Sequence, residues 1–177
     1  ELRGSDAVVH LAALSHDAMG ELDEAVTSAI NRAGSIALAR AARAAGVPRF
    51  IFAGSCAIYG KGGDDKPLDE TAELRPLTAY ARSKVEAEAA IARLADEHFH
   101  PVFLRNATAY GYSPALRLDL VVNNLLAAAV AYGQIRVHSD GKPWRPLVHC
   151  RDIARACLAC LQAPAESLSG QAINIGA

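Results

Sequence analysis

The chain has 177 residues, a formal net charge of −1 and an apolar fraction of 51%, which describes one globular unit large enough to bury a core. Near-neutral charge leaves no electrostatic footprint for nucleic acid or an anionic membrane surface. No apolar run approaches the ~20 residues of a membrane-crossing helix and no signal peptide is read at its start, so a soluble, cytoplasmic protein is expected.

The first element in chain order is D-A-V-V-H-L-A-A, Asp6 to Ala13. It predicts a short buried strand whose small final residues, Ala12 and Ala13, let a ligand approach the backbone. His10 reads as a packed strand residue. Glu21 to Ala45 reads as one long helix stopped by Gly46 and Pro48, with Asn31 interrupting its apolar pattern. Arg49 to Ala53 is the next buried strand, and it delivers Ser55 at its carboxyl end, the side on which open parallel sheets bind ligands. Lys61 to Asp65 is a solvated Gly/Asp loop, and Pro67 to Pro76 is an irregular connection.

T-A-Y-A-R-S-K, Thr78 to Lys84, then opens a helix. Tyr80 and Lys84, four residues apart, share one helical face. A free tyrosine titrates near pH 10, so bringing it to neutrality requires roughly 4 kcal/mol of phenolate stabilisation. A cation about 5 Å away at an effective dielectric near 20 supplies roughly 3 kcal/mol of this. Lys84 therefore suits Tyr80 as a proton acceptor, with Ser55 orienting a substrate hydroxyl.

Pro101 to Gly111 predicts a third buried strand and its exit loop. Leu116 to Leu126 runs into an Ala-rich helix ending at Gly133, followed by a strand at Ile135 to His138 and a turn at Asp140-Gly141. Asp152 is placed to cap the next helix, and Gln171 to Ile175 closes the chain as a short strand. The four cysteines (Cys56, Cys150, Cys157 and Cys160) lack the paired spacing of a metal site and read as free thiols in a reducing compartment.

A strand ending in S-x-x-x-Y-G (Ser55 to Gly60), an irregular P-L-D-E-T linker and Y-x-x-x-K opening a helix together resemble the extended short-chain dehydrogenase/reductase superfamily. Within it, they resemble the NAD-dependent nucleotide-sugar epimerase/dehydratase family. The resemblance implies an α/β fold: a partial Rossmann-type parallel sheet with flanking helices, plus part of a small substrate-binding α/β region. Residues 1–112 are expected to form the carboxyl-terminal half of the dinucleotide-binding domain. Residues 113–177 are expected to be mainly the substrate-binding region, interleaved with that core. The family's G-x-x-G-x-x-G turn is not found, so the chain is expected to be a fragment with an exposed apolar sheet edge at its first strand.

The same resemblance assigns roles. Ser55, Tyr80 and Lys84 are the catalytic residues. NAD, with NADP as the alternative, meets Leu11, Ala12, Ala13, Asn31, Tyr80, Lys84 and Ala107; N-R-A-G at Asn31 matches the family's N-x-x-G. Thr108 stands where the family carries Asn. A nucleotide-sugar substrate meets Ser55, Asn124 and Arg145, no metal is expected, and the full-length enzyme is expected to be a homodimer. The implied activity is epimerisation through a transient keto intermediate. Reduction or dehydrogenation within the superfamily, dehydration, and non-catalytic dinucleotide binding are the alternatives. Dehydration is disfavoured because Cys56 and Ala57 stand where dehydratases carry an acidic pair.

Overall fold

The computed structural model describes residues 2–15, 21–61, 67–137, 140 and 144–176. Four strands, β1 (Ala7–His10), β2 (Arg49–Ser55), β3 (His100–Asn106) and β6 (Ala172–Ile175), form a fully parallel sheet in the order β1-β2-β3-β6. Two shorter strands, β4 (Thr108–Tyr110) and β5 (Leu147–His149), pair in parallel beside it.

Both faces of the sheet are covered, which is why its strands read as near-continuous apolar runs. Side chains alternate along β2 and β3. Phe50, Phe52 and Phe103 meet Phe99 and the helices α2 (Ser35–Ala44) and α3 (Ala79–Ala92) through Ala39, Ala42, Ala87 and Ile91. On the other face Ile51, Val102 and Leu104 meet Cys160 of α5 (Cys150–Gln162) together with Ile173 and Ile175. Both α5 and β6 therefore belong to the main sheet, although they fall late in the chain.

The helix expected over Glu21–Ala45 is interrupted. Asp23 caps α1 (Glu24–Thr27), accepting from the Val26 N–H at 2.9 Å, but Ser28–Gly34 is π-helical before α2 resumes the ordinary winding. The wider turn carries Asn31 inward, where it is 0% exposed.

β3 and β4 are separated at Ala107, whose N–H donates to the Ile175 carbonyl at 2.8 Å, while the next N–H, of Thr108, donates to Pro146 at 3.0 Å. The chain thus leaves the main sheet to pair with β5. It turns at Gly111 (φ 120°), where an added Cβ would lie 2.7 Å from His149 Nε2. Helix α4 (Val121–Tyr132) ends on left-handed Gly133 as expected and has no buried residue. No strand forms over residues 135–137, the described part of the strand expected at Ile135–His138. Residues 134–137 are irregular, with Ile135 and Val137 57% and 58% exposed; His138 and Gly141 lie outside the described residues, as do Gly62 and Gly63. His149 rather than Asp152 caps α5, its Nδ1 accepting from the Arg151 N–H at 3.1 Å. Asp152 lies in the first turn and pairs with Arg155 at 3.1 Å. A four-residue helix, α6 (Ala165–Leu168), precedes β6. Among the described residues no helix is long and apolar enough to cross a membrane.

Candidate active site

Ser55 is the last residue of β2 and caps the 3₁₀ turn Cys56–Tyr59, its Oγ accepting from the Ala57 N–H at 3.2 Å. That bond uses a lone pair and leaves the hydroxyl proton for a substrate oxygen. Thr78 caps α3 in the same way, accepting from the Ala81 N–H at 3.1 Å, and sets Tyr80 in the first turn. Helix α3 then packs on β2 and on the turn after Ser55.

Lys84 joins these elements. It is 3% exposed, donates from Nζ to the Ala53 carbonyl at 2.9 Å, and lies 4.7 Å from the Phe52 ring centre and 5.9 Å from that of Tyr80. The ammonium is thus anchored two residues before Ser55 on one side and stands beside Tyr80 on the other. Its remaining donors suit ribose hydroxyls or a phenolate.

Burial lowers the Lys84 pKa from 10.5 to about 8. The unfolded chain therefore retains this proton between about pH 8 and 10.5 after the folded chain has lost it, and the Lys84 contribution to stability rises with pH across that window. Below it, the buried charge is a net cost. Lys84→Met is accordingly expected to raise stability at neutral pH by about 3 kcal/mol, the scale of a shift from 10.5 to about 8 at roughly 1.4 kcal/mol per pKa unit. Urea unfolding of both proteins at neutral pH and above pH 8 checks this: the difference should shrink as pH rises.

A second buried polar string supports the first. Asn31 binds both backbone groups of Leu14, accepting from its N–H at 2.8 Å and donating to its carbonyl at 3.0 Å. Its own carbonyl accepts the Ser35 hydroxyl at 2.6 Å, and His10 Nε2 lies 2.8 Å from Ser35 Oγ. Since the single Ser35 proton goes to Asn31, His10 Nε2 donates. Burial, and then the Lys84 charge, lower the His10 pKa, in keeping with this neutral tautomer. Asn31 therefore acts on the loop after β1 rather than presenting a free amide to a ligand.

A third set was not foreseen. Glu88, one turn beyond Lys84 on α3, pairs with Arg105 of β3 at 2.6 Å, with side chains only 12% and 7% exposed. Arg105 also donates to Tyr59 Oη at 2.8 Å and to the Glu70 carbonyl at 3.0 Å, while Tyr59 donates to Asn174 Oδ1 at 2.7 Å. Burial disfavours the Arg105 charge, but the bonds to Glu88 and Tyr59 outweigh it and hold the guanidinium above its usual value. Two signals in the sequence point to this pair: an arginine inside an apolar strand, and a carboxylate at i+4 from Lys84.

The other expected site residues are more dispersed. Leu11 and Ala12 are exposed and Ala13 half-buried beyond the carboxyl end of β1. Ala107 is 8% exposed. Asn124 is exposed on α4, donating to the Leu118 carbonyl at 2.8 Å, and Arg145 is exposed before β5. The neighbouring Asn123, not singled out in the sequence, ties α4 to the turn after β4 by accepting from the Gly111 N–H at 3.3 Å. The four cysteines are free thiols; burial raises the pKa of Cys157 and Cys160, the latter also through Cys157. Among the described residues no cluster of His, Cys, Asp or Glu is arranged to hold a metal ion.

The profile of the NAD dependent epimerase/dehydratase family matches residues 1–176. Human dTDP-D-glucose 4,6-dehydratase is 27% identical over 172 residues, covering 97% of this chain and 47% of its own length. UDP-glucose 4-epimerase of Rhizobium leguminosarum bv. trifolii is 28% identical over 187 residues, covering 96% and 56%. The solved structure of MoeE5 in complex with UDP-glucuronic acid and NAD superposes with a TM-score of 0.86 at 28% identity, covering 99% of this chain and 57% of that one. The chain thus spans about half the length of the curated relatives it matches.

Proposed function

Because the chain belongs to the NAD dependent epimerase/dehydratase family, we propose that the protein containing it epimerises a nucleotide sugar through a transient keto intermediate. The observation that carries this reading is the placement of Lys84, hydrogen-bonded at 2.9 Å to the strand that ends in Ser55 and 5.9 Å from the Tyr80 ring. The Cys56 and Ala57 that follow Ser55 supply neither the acid nor the base that water elimination needs. This favours epimerisation over dehydration.

The residues present fit a nicotinamide dinucleotide. Small, accessible Ala12 and Ala13 stand at the carboxyl end of β1, and Lys84 has donors to spare for ribose hydroxyls. The complex of MoeE5 with UDP-glucuronic acid and NAD supports both ligand classes. NAD, held by Lys84 and by the accessible backbone at Ala12 and Ala13, would supply a reversible hydride acceptor for the sugar carbon. Ser55 donates to the reacting sugar oxygen and orients it. Tyr80 takes the hydroxyl proton and gives it back, while the Lys84 charge favours the phenolate over the phenol. Asn124 and Arg145 are assigned to the nucleotide diphosphate, as an amide donor and a forked cation. Residues 1–112 carry the dinucleotide side of the site, and residues 113–177 mainly the substrate side.

The test is product analysis with UDP-glucose and dTDP-glucose while nicotinamide oxidation state is followed. The expected result is an epimerised hexose with no net reduction of the nicotinamide. Stoichiometric NADH would identify a dehydrogenase, and a 4-keto-6-deoxy product a dehydratase; either result overturns epimerisation.

A further inference from the structure

We infer that the Tyr59 hydroxyl is a positioning group for Ser55, an inference that rests on the catalytic reading above. Ser55 and Tyr59 are the two ends of one 3₁₀ turn: Ser55 caps Cys56–Tyr59, and Tyr59 closes it. The Tyr59 ring is 7% exposed and fills the interior, a task that phenylalanine would serve equally well. The hydroxyl has a separate use. Its oxygen accepts from Arg105 Nη1 at 2.8 Å, and its single proton goes to Asn174 Oδ1 at 2.7 Å.

Arg105 and Asn174 are register partners on β3 and β6, so the hydroxyl is fastened to two adjacent strands. The same guanidinium holds Glu88 of α3 at 2.6 Å. Glu88 lies one helical turn beyond Lys84, and Tyr59 lies one 3₁₀ turn beyond Ser55. One buried cation therefore sets the turn that carries Ser55 against the helix that carries Tyr80 and Lys84. The connection between them is held to the same turn. The Arg75 N–H donates to the Ile58 carbonyl at 2.9 Å, and a Cβ at Gly60 (φ 72°) would run into the Arg75 carbonyl oxygen. Removing the hydroxyl leaves the ring packed but releases the turn from Arg105 and Asn174. Ser55 then loses its fixed placement against Tyr80, and misplacing a reacting group by about 1 Å costs on the order of 100-fold in rate.

The experiment compares Tyr59→Phe, Ser55→Ala and the combined variant of the full-length protein by steady-state kinetics on UDP-glucose or dTDP-glucose, whichever is turned over. Tyr59→Phe should lower kcat by about 10- to 100-fold and leave KM within about twofold. In the Ser55→Ala background the same substitution should change kcat by less than about twofold, because the group it positions is already gone. A merely structural role would cost the same factor in both backgrounds. A second variant, Glu88→Leu with Arg105→Met, cuts the tie to α3 while keeping an apolar pair in its place. Its urea midpoint should return towards that of the unaltered protein, while its kcat stays about tenfold low or more. Full rate in Tyr59→Phe, equal losses in the two backgrounds, or a rate that returns with stability in the paired variant overturns the inference. An unimpaired Ser55→Ala protein overturns the catalytic reading itself and the inference with it, which separates the two failures.

Discussion

Tyr80→Phe is expected to reduce turnover by about 100- to 10,000-fold, the range that a positioned acid–base group contributes. Affinity for the nucleotide sugar should be unchanged, because the ring survives and only the phenolic oxygen is removed. The expectation follows from the first turn of α3, where the Thr78 cap fixes the helix start and Lys84 stands 5.9 Å from the Tyr80 ring. Ser55→Ala should have a smaller effect on the same rate, since it removes orientation but not the proton acceptor. Steady-state kinetics alongside equilibrium binding decide the matter. A Tyr80→Phe protein turning over near the unaltered rate would move the proton transfer to another group.

Glu88→Gln, or Arg105→Met alone, is expected to destabilise the protein by roughly 3–5 kcal/mol, because each leaves an uncompensated charge or fork of donors in the interior. Replacing both, Glu88→Leu with Arg105→Met, should recover much of that loss, since an apolar pair of similar volume avoids the desolvation cost. The contrast is with Arg75–Glu73, whose side chains are 66% and 72% exposed and whose removal should leave stability nearly unchanged. Urea midpoints for the double-mutant cycle measure both. A single substitution at Glu88 as mild as one at Glu73 would show that the interior pair does not anchor α3.

The strands β2 and β3 were legible in the sequence because both sheet faces are covered and their residues run apolar without alternation. Helix α3 and the Tyr80–Lys84 face were legible because spacing alone sets them. The strand expected at Ile135–His138 misled for the opposite reason: β-branched Ile135 and Val137 suggested a strand, but both are exposed, and among the described residues none pairs with them. The break at Ala107 depends on two distant carbonyls, those of Ile175 and Pro146, and no local pattern carries that information. Asn31 looked like a polar interruption in a helix of ordinary period. Its burial depends on a change of winding that a 3.6-residue reading excludes from the start. Nothing local in the sequence links Glu88, an acidic helix residue, to Arg105, a charged strand residue, and only the packing of α3 on β3 joins them.

The π-helical stretch Ser28–Gly34 makes residue number a constraint of its own. Deleting one residue there would let the helix rewind to ordinary pitch and rotate everything on its amino-terminal side by about 100°. Asn31 would swing out of its bonds to Leu14, and the exposed Val26 would turn to a different bearing around the helix axis. Substitutions in this stretch that leave Asn31 in place preserve its bonds to Leu14, whereas a single-codon deletion, however conservative in composition, should disconnect the loop after β1 from the helix that braces it.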